Sequence, residues 1–322
     1  MAEKYGSDDR AALLADVAQM YYLEDKAQAE IARVVGVTRS MVSRMLKEAR
    51  DKGIVEVRIH RYLRLEPDLE TALVNRFKLK EALVVALPKA SDIHLLDYLG
   101  LAGKNYLKPH LVPDVVLGLS WGTSVSAVIN RMDVPEPLQC KIVQLVGALG
   151  SQNNSYDGHA LVSQLVEKLG GEGYYLNAPF LCTDSTTAES VLETPSIKEA
   201  ISWGRKAQIA LVGVGSTKPN YSSYYLAGYV SKKELNQLRK EGAVGDVCGL
   251  HFDIDGRDVC GDFCERMVTI RRVDLLAIPL RLGIAGGEGK VEAILGALRS
   301  GYINVLVTDG TTARKILALA GE

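Results

Sequence analysis

The sequence predicts an α/β protein in two parts, a small helical front end followed by a doubly wound, largely parallel sheet flanked by helices. Three observations carry this expectation. After residue 80, about six apolar runs of β type alternate with helical patterns, the order that parallel strand–helix–strand units produce. The first sixty residues hold instead three short helical periodicities around a turn glycine. Several of the apolar runs end on glycines just before a helix, as strand-to-helix turns do at the ligand-binding edge of such sheets. A chain of 322 residues, 47% apolar and 24% charged, is long enough for two domains and has a core to bury.

In the front end, Leu13, Leu14, Val17 and Met20 recur at helical spacing, a second helix is predicted over Gln28 to Val35, and a third from about Thr38 to Lys52. Within QAEIARVVGVTRSMVSRMLK, Ala32 is small enough for close helix crossing. Gly36, four residues on, supplies a positive-φ turn, and Ile31, Val35, Val37, Val42 and Met45 fall on one inward face. That register is a helix-turn-helix pattern. It leaves Thr38, Arg39, Ser40, Ser43, Arg44 and Lys47 outward, the donor-rich face that phosphates and major-groove base edges require. Thr38 also suits a helix N-cap whether or not DNA is present. Gln28 and Arg58 complete the candidate DNA contacts. The whole chain has a formal net charge of -1, yet Arg33 to Arg64 carries nine basic residues against Glu48, Asp51 and Glu56, a local balance of +6. Alternation of period two in GIVEVRIHRY, Gly53 to Tyr62, predicts a wing strand that lays Arg58 and His60 along a backbone, so the front end is expected to be a winged helix-turn-helix.

RLEPDLETALVNRFKLKEALVVAL holds one proline, an amphipathic helix and a β-type run from Ala82 to Leu87, which places the boundary near residues 60 to 66 and divides the chain into 1–62 and 63–322. The expected order behind it is helix 92–108, strand Asp114 to Leu119, helix 122–132, strand Lys141 to Val146, helix 157–169 and strand 173–177. Two short helices over 184–204, strand Gln208 to Val214, a helix near 231–240 and a glycine-rich region to residue 257 come next. Strands near 274–285, helix 288–300, strand Ile303 to Thr308 and helix 311–320 complete the pattern.

Three strand ends carry chemistry. DVVLGLSWGTS ends a strand at Gly118, bends through Ser120 and Gly122, and enters a helix at Thr123 and Ser124, presenting amides and hydroxyls at a positive helix end where anions bind. IALVGVGS repeats the arrangement at Gly213 and Gly215. GIAGGEGK brings Lys290 into the first turn of a helix, where an ammonium beside free amides is repelled by the dipole unless an anion lies between them. The segment is no Walker loop, because Ile284 stands five before Gly289 and Val291 replaces the magnesium-holding hydroxyl, so no nucleotide cofactor is expected. GAVGDVCGLHFDIDGR offers Asp246 and Asp253 to sugar hydroxyls, although each suits a turn equally well. Gln144, at the end of the strand before GALG, is a further candidate.

Other chemistries fit less well. GLSWG matches a nucleophile elbow at Ser120, but only His159 and His251 follow it, and neither lies where that fold keeps its base. Cys248, Cys260 and Cys264 have the spacing of no common metal site. With Cys140 and Cys182 they form no CxxC, and the start MAEKYGSDDR has no apolar signal core, which together suggest a reducing cytoplasm. No apolar stretch approaches about 18 residues, so no membrane partner is expected.

Taken together, AEIARVVGVTRSMVSRMLKEARDKGIVEVRIH, VVLGLSWGTS, KIVQLVGALG, YYLNAPFL, IALVGVGS, GAVGDVCGLHFDIDG and AGGEGKVEAILGALRSGYINVLVTDGTTA resemble the SorC family of bacterial sugar-responsive transcriptional regulators over nearly the full length. The resemblance implies a winged helix-turn-helix joined to an effector domain similar to sugar-phosphate isomerases and deaminases, acting as a homodimer or homotetramer on a palindromic operator. Its implied effector is a phosphorylated sugar. By that likeness Ser120, Thr123, Ser124 and Lys290 hold the phosphate, and Gly213, Gly215, Asp246 and Asp253 line the sugar. The alternative is an active isomerase or deaminase carrying a DNA-binding appendage.

Overall fold

The computed structural model describes residues 7–56, 62–88, 95–150 and 155–321. The chain divides into two compact units, Met1–Tyr62 and Leu63–Glu322. Among the described residues no helix is long and apolar enough to cross a membrane.

The first unit holds α1 (Ser7–Tyr22), α2 (Gln28–Val35) and α3 (Arg39–Asp51). Its core is the face read from the spacing: Leu14, Val17, Ile31, Val42 and Met45 are buried, while Val35 and Val37 pack at its margin. Gly36 closes α2 at φ 72°, a left-handed geometry that costs glycine little, and the amide of Val37 returns to the carbonyl of Ala32 at 3.0 Å. Thr38 then caps α3, its hydroxyl accepting from the amide of Met41 at 3.3 Å. Arg10 on α1 reaches Glu48 on α3 at 2.6 Å and ties the first helix to the third. Residues 53–56 form no strand, and most of the expected wing, with Arg58 and His60, lies outside the described residues.

The second unit runs α4 (Pro67–Phe77), β1 (Glu81–Val85), α5 (Leu95–Leu107), β2 (Val116–Leu119), α6 (Thr123–Asn130), β3 (Cys140–Gln144), α7 (Gly158–Leu169), β4 (Gly171–Tyr174), α8 (Ser185–Leu192), α9 (Pro195–Arg205) and β5 (Ile209–Gly213). It continues through β6 (Gly215–Ser216), α10 (Ser223–Leu226), α11 (Lys232–Lys240), β7 (Gly245–Val247), β8 (Leu250–Phe252), α12 (Asp262–Glu265), α13 (Arg272–Ala277), β9 (Leu280–Ile284), α14 (Val291–Ser300), β10 (Val305–Asp309) and α15 (Gly310–Leu319). Seven strands form one parallel sheet in the order β1-β10-β9-β5-β2-β3-β4. Alternation along each strand supplies two cores, as a sheet covered on both faces requires. Leu117, Leu119, Ile142, Leu211 and Ile284 pack with α5, α6 and α7, whereas Val84, Val143, Ala210, Val212 and Leu306 pack with α4, α14 and α15.

Two expectations need correction. Residues 272–277 are the helix α13, and only Leu280–Ile284 is strand; Arg271 bonds Asp274 at 2.8 Å within that helical turn, which buries Leu275. The glycine-rich region is not simply loop, since β6, β7 and β8 form a small antiparallel sheet across it. Its hairpin turns on Cys248 (φ 54°) and Gly249 (φ 76°), the paired positive φ values that a two-residue turn of type I′ demands.

From β2 the chain order proceeds outward through β3 and β4, while β5, β9 and β10 build the other side. The loops that leave the carboxyl ends of β2 and β5 therefore part in opposite directions. That divergence is the topological switch point where open α/β sheets form their ligand crevice.

Candidate functional sites

A cleft opens at this switch point. Ser120, Gly122, Thr123, Ser124, Gly213, Gly215, Asp246 and Lys290 line it, so the three strand ends read from the sequence do converge. One wall is the start of α6. Gly122 occupies the N-cap with φ 131° and offers no side chain, and the first backbone rung is Ser126 N to Gly122 O at 2.9 Å. The amides of Thr123 to Val125 thus lie outside the helix's own ladder at its positive end. Ser120 spans the switch point, its Oγ accepting from the amide of Gly213 at 3.1 Å. It also donates to the carbonyl of Trp121 at 3.4 Å, and among the described residues no histidine is hydrogen-bonded to this hydroxyl.

Lys290 faces from the single helical turn that leads into α14. Its Nζ donates to the carbonyl of Val214 at 2.8 Å. Burial pushes its pKa below the ordinary lysine value, and the charge of Asp246 opposes that shift. The turn itself is anchored from behind, where the amide of Gly287 donates to Asp309 Oδ2 at 3.0 Å and to Thr312 Oγ1 at 2.8 Å.

Asp246 stands on β7, opposite Gly215. A Cβ on Gly215 would lie 2.0 Å from Asp246 Oδ1, so the carboxylate reaches this position only because that residue is glycine. Asp246 Oδ2 accepts from the amide of Gly249 at 3.0 Å, and Oδ1 accepts from the hydroxyl of Tyr224 at 3.2 Å. The same hydroxyl is 2.8 Å from Nε2 of His251. Burial lowers the pKa of His251, against the pull of Asp246, and burial and then Asp246 raise that of Tyr224. The result is a buried chain from His251 through Tyr224 to a carboxylate at the cleft.

Three expected residues are placed elsewhere. Asp253 closes a turn after β8, accepting from the amides of Asp255 at 2.9 Å and Arg257 at 2.8 Å. Gln144 folds back on its own strand, its Nε2 donating to the carbonyl of Val146 at 2.7 Å. Gly118 is a packing glycine within β2, where an added Cβ would meet Leu145 at 2.8 Å. None of the three lines the cleft. Sequence reasoning passed over Tyr224, Cys248, Gly249 and the flanking Trp121, all of which do. Two positive-φ residues in Val-Cys-Gly-Leu were a usable hairpin signal; Tyr224 had none.

On the first unit, Thr38, Arg39, Ser40, Ser43, Arg44 and Lys47 are exposed and Gln28 is half-buried. The polar face of α3 is therefore available along its length.

Comparison with known proteins gives the family. The model of the Sugar-bind family, a sugar-binding domain, matches residues 64–318, and that of sigma-70 region 4 matches residues 15–52. The sorbitol operon regulator of Klebsiella pneumoniae is 31% identical over 315 residues, covering 97% of this chain and 99% of the relative. The chain belongs to the SorC family. It is a DNA-binding transcriptional regulator with a sugar-binding domain. The deoxyribonucleoside regulator of Bacillus subtilis is 29% identical over 96% of this chain and 98% of its own length. The crystal structure of the full-length K. pneumoniae SorC matches with a TM-score of 0.71 at 30% identity, covering 97% of this chain and all of that one.

Proposed function

We propose that this SorC-family protein controls a carbohydrate catabolic operon in the cytoplasm. In this reading a homodimer or homotetramer holds a palindromic operator through α3, and a phosphorylated sugar in the cleft sets the affinity. The observation that carries the reading is the meeting of the open α6 N-terminus with Lys290 at the switch point, since aligned amides and an ammonium together suit a phosphate. Thr123, Ser124 and Lys290 hold that phosphate, and Asp246, set between Gly213 and Gly215 on one side and Gly249 on the other, accepts from sugar hydroxyls. Ser120 keeps the two loops together while the ligand is bound. The relatives named for sorbitol and deoxyribonucleosides support a carbohydrate effector. Closure of the cleft on the ligand alters subunit packing and the spacing of paired α3 helices. A coupling of about 1–3 kcal/mol changes operator affinity roughly 5- to 150-fold.

The test is calorimetric titration with a panel of sugar phosphates, beside Lys290→Ala. The variant is expected to lose binding of whichever ester the parent holds; unchanged affinity removes Lys290 from the site. The enzymatic reading draws on one observation, the His251–Tyr224–Asp246 chain, because acid–base chemistry uses such relays. Incubation with the tightest sugar phosphate, followed by NMR, separates the two. The regulator leaves the ester unchanged, and product formation would establish turnover.

A further inference from the structure

Away from the cleft and α3, Cys260 and Cys264 carry chemistry that regulation by a sugar does not use. They stand four residues apart, one just before α12 and one within it, and the Cys264 thiol donates to the carbonyl of Val259, the residue before Cys260, at 3.4 Å. Cys260 is exposed and Cys264 half-buried, whereas Cys140, Cys182 and Cys248 are buried. Both line an open groove of about 330 Å³, so small reagents reach the pair from solvent. α12, which separates the two thiols, is only four residues long.

The turn also touches the cleft's supports. Phe263, between the two cysteines, is buried with its ring 5.4 Å from that of His251 and 6.4 Å from that of Tyr224. Tyr224 holds Asp246, and His251 holds Tyr224. Displacement of α12 is therefore felt by the carboxylate through one layer of aromatic packing.

We propose that Cys260 and Cys264 form a reversible oxidation site, a dithiol that hydroperoxides convert to an intramolecular disulfide, and that closure of this bond acts on the cleft through Phe263. In the first step the sulfur of Cys260, as thiolate, attacks a peroxide oxygen. The O–O bond breaks, Cys260 becomes a sulfenic acid, and the departing oxygen is protonated to water or an alcohol. The sulfur of Cys264 then attacks that of Cys260; the S–O bond breaks, and hydroxide leaves as water with the proton of Cys264. Two thiols have lost two electrons and two protons to the peroxide, and a thiol reductant reverses the change. Cys260 is the exposed thiol and therefore the attacking sulfur, while burial pushes the half-buried Cys264 thiol up.

The experiment exposes the full chain to hydrogen peroxide, blocks free thiols with iodoacetamide and digests with trypsin. Arg257 and Arg266 bracket both cysteines, so one peptide, DVCGDFCER, reports the bond. It is expected unalkylated and lighter by two hydrogens, and doubly alkylated after dithiothreitol; a doubly alkylated peptide without reductant overturns the proposal. Hydrogen exchange over residues 222–230 and 245–252 tests the link to the cleft without any sugar. Several-fold faster exchange in the oxidised protein is expected, and identical exchange overturns the coupling. Cys260→Ser and Cys264→Ser should each abolish both responses, and a surviving exchange difference in either variant counts against the pair. Failure of these outcomes leaves the sugar-phosphate reading intact, since neither readout involves the effector.

Discussion

Tyr224→Phe removes one oxygen from the buried chain behind the cleft and little else. The ring still fills its place against Phe180 and Phe263, so no cavity opens. Asp246 Oδ1 loses a donor at 3.2 Å, and Nε2 of His251 loses a partner at 2.8 Å. A hydrogen bond to a charged group contributes about 1.5–3 kcal/mol, and a buried donor or acceptor left unsatisfied costs about 1–3 kcal/mol. Because the two effects share an atom, we expect the effector unit to lose about 2–4 kcal/mol. At about 2–4 °C per kcal/mol for a unit of this size, the midpoint falls by roughly 4–16 °C. Trp121 and Trp203 are the only tryptophans of the chain and both lie in this unit, so tryptophan fluorescence in urea follows it without interference from the DNA-binding helices. Asp246 also becomes free to turn, and the affinity for a sugar phosphate should drop with it. A variant within about 0.5 kcal/mol of the parent would refute the claim that this hydroxyl joins two buried polar groups.

Three further outcomes follow from the same geometry. His251 has its pKa depressed below the ordinary 6.5 by burial, so the unfolded chain binds more protons as the pH falls; stability is full above about pH 6.5 and declines below it, a slope that His251→Gln should flatten in urea titrations at several pH values. Arg39→Ala and Arg44→Ala should each weaken operator binding and reduce the slope of log K against log salt by about 1. An unaltered slope would show that neither side chain touches phosphate. Gly118→Ala places a methyl group 2.8 Å from both δ carbons of Leu145 in the middle of the sheet, and overpacking of this kind costs about 1–3 kcal/mol. The same fluorescence assay measures it, and an unchanged midpoint would mean that Leu145 swings aside freely.

The parts of the fold that were legible in the sequence are those set by local rules. Periodicity located α2 and α3, and the need for positive φ located Gly36, because both depend on residues close in the chain. The parallel strands were visible as apolar runs for a similar reason: a sheet buried on both faces leaves no alternation to misread. Arg272–Ala277 was misjudged because RVDLLA followed by IPLRL is equally apolar in either state, and its helical turn is fixed by Arg271 and Asp274. In the cleft, glycines and hydroxyls at strand ends marked Ser120, Thr123, Ser124 and Lys290. Asp246 and Asp253 could not be separated in this way. Both follow glycine-rich stretches, and only pairing of β6 with β7 places the first at the cleft while a local turn claims the second.

Asp246 and Lys290 share the cleft without forming an ion pair, and the reason bears on what the cleft selects. The carboxylate is held by Gly249 and Tyr224, and the ammonium by the carbonyl of Val214, so each is fixed by a different partner. A collapsed pair would cancel the charge that a ligand must meet. Held apart, the two leave a cationic end beside α6 and an acceptor end beside Gly215. An inorganic phosphate satisfies only the first and a free sugar only the second. In the proposed reading a sugar phosphate engages both, and the ordering work is already done by the protein, which is where preorganised sites obtain their affinity. Affinity should therefore fall from sugar phosphate to either fragment by more than the missing contact alone accounts for, and Tyr224→Phe should narrow that gap by freeing Asp246 to turn toward Lys290.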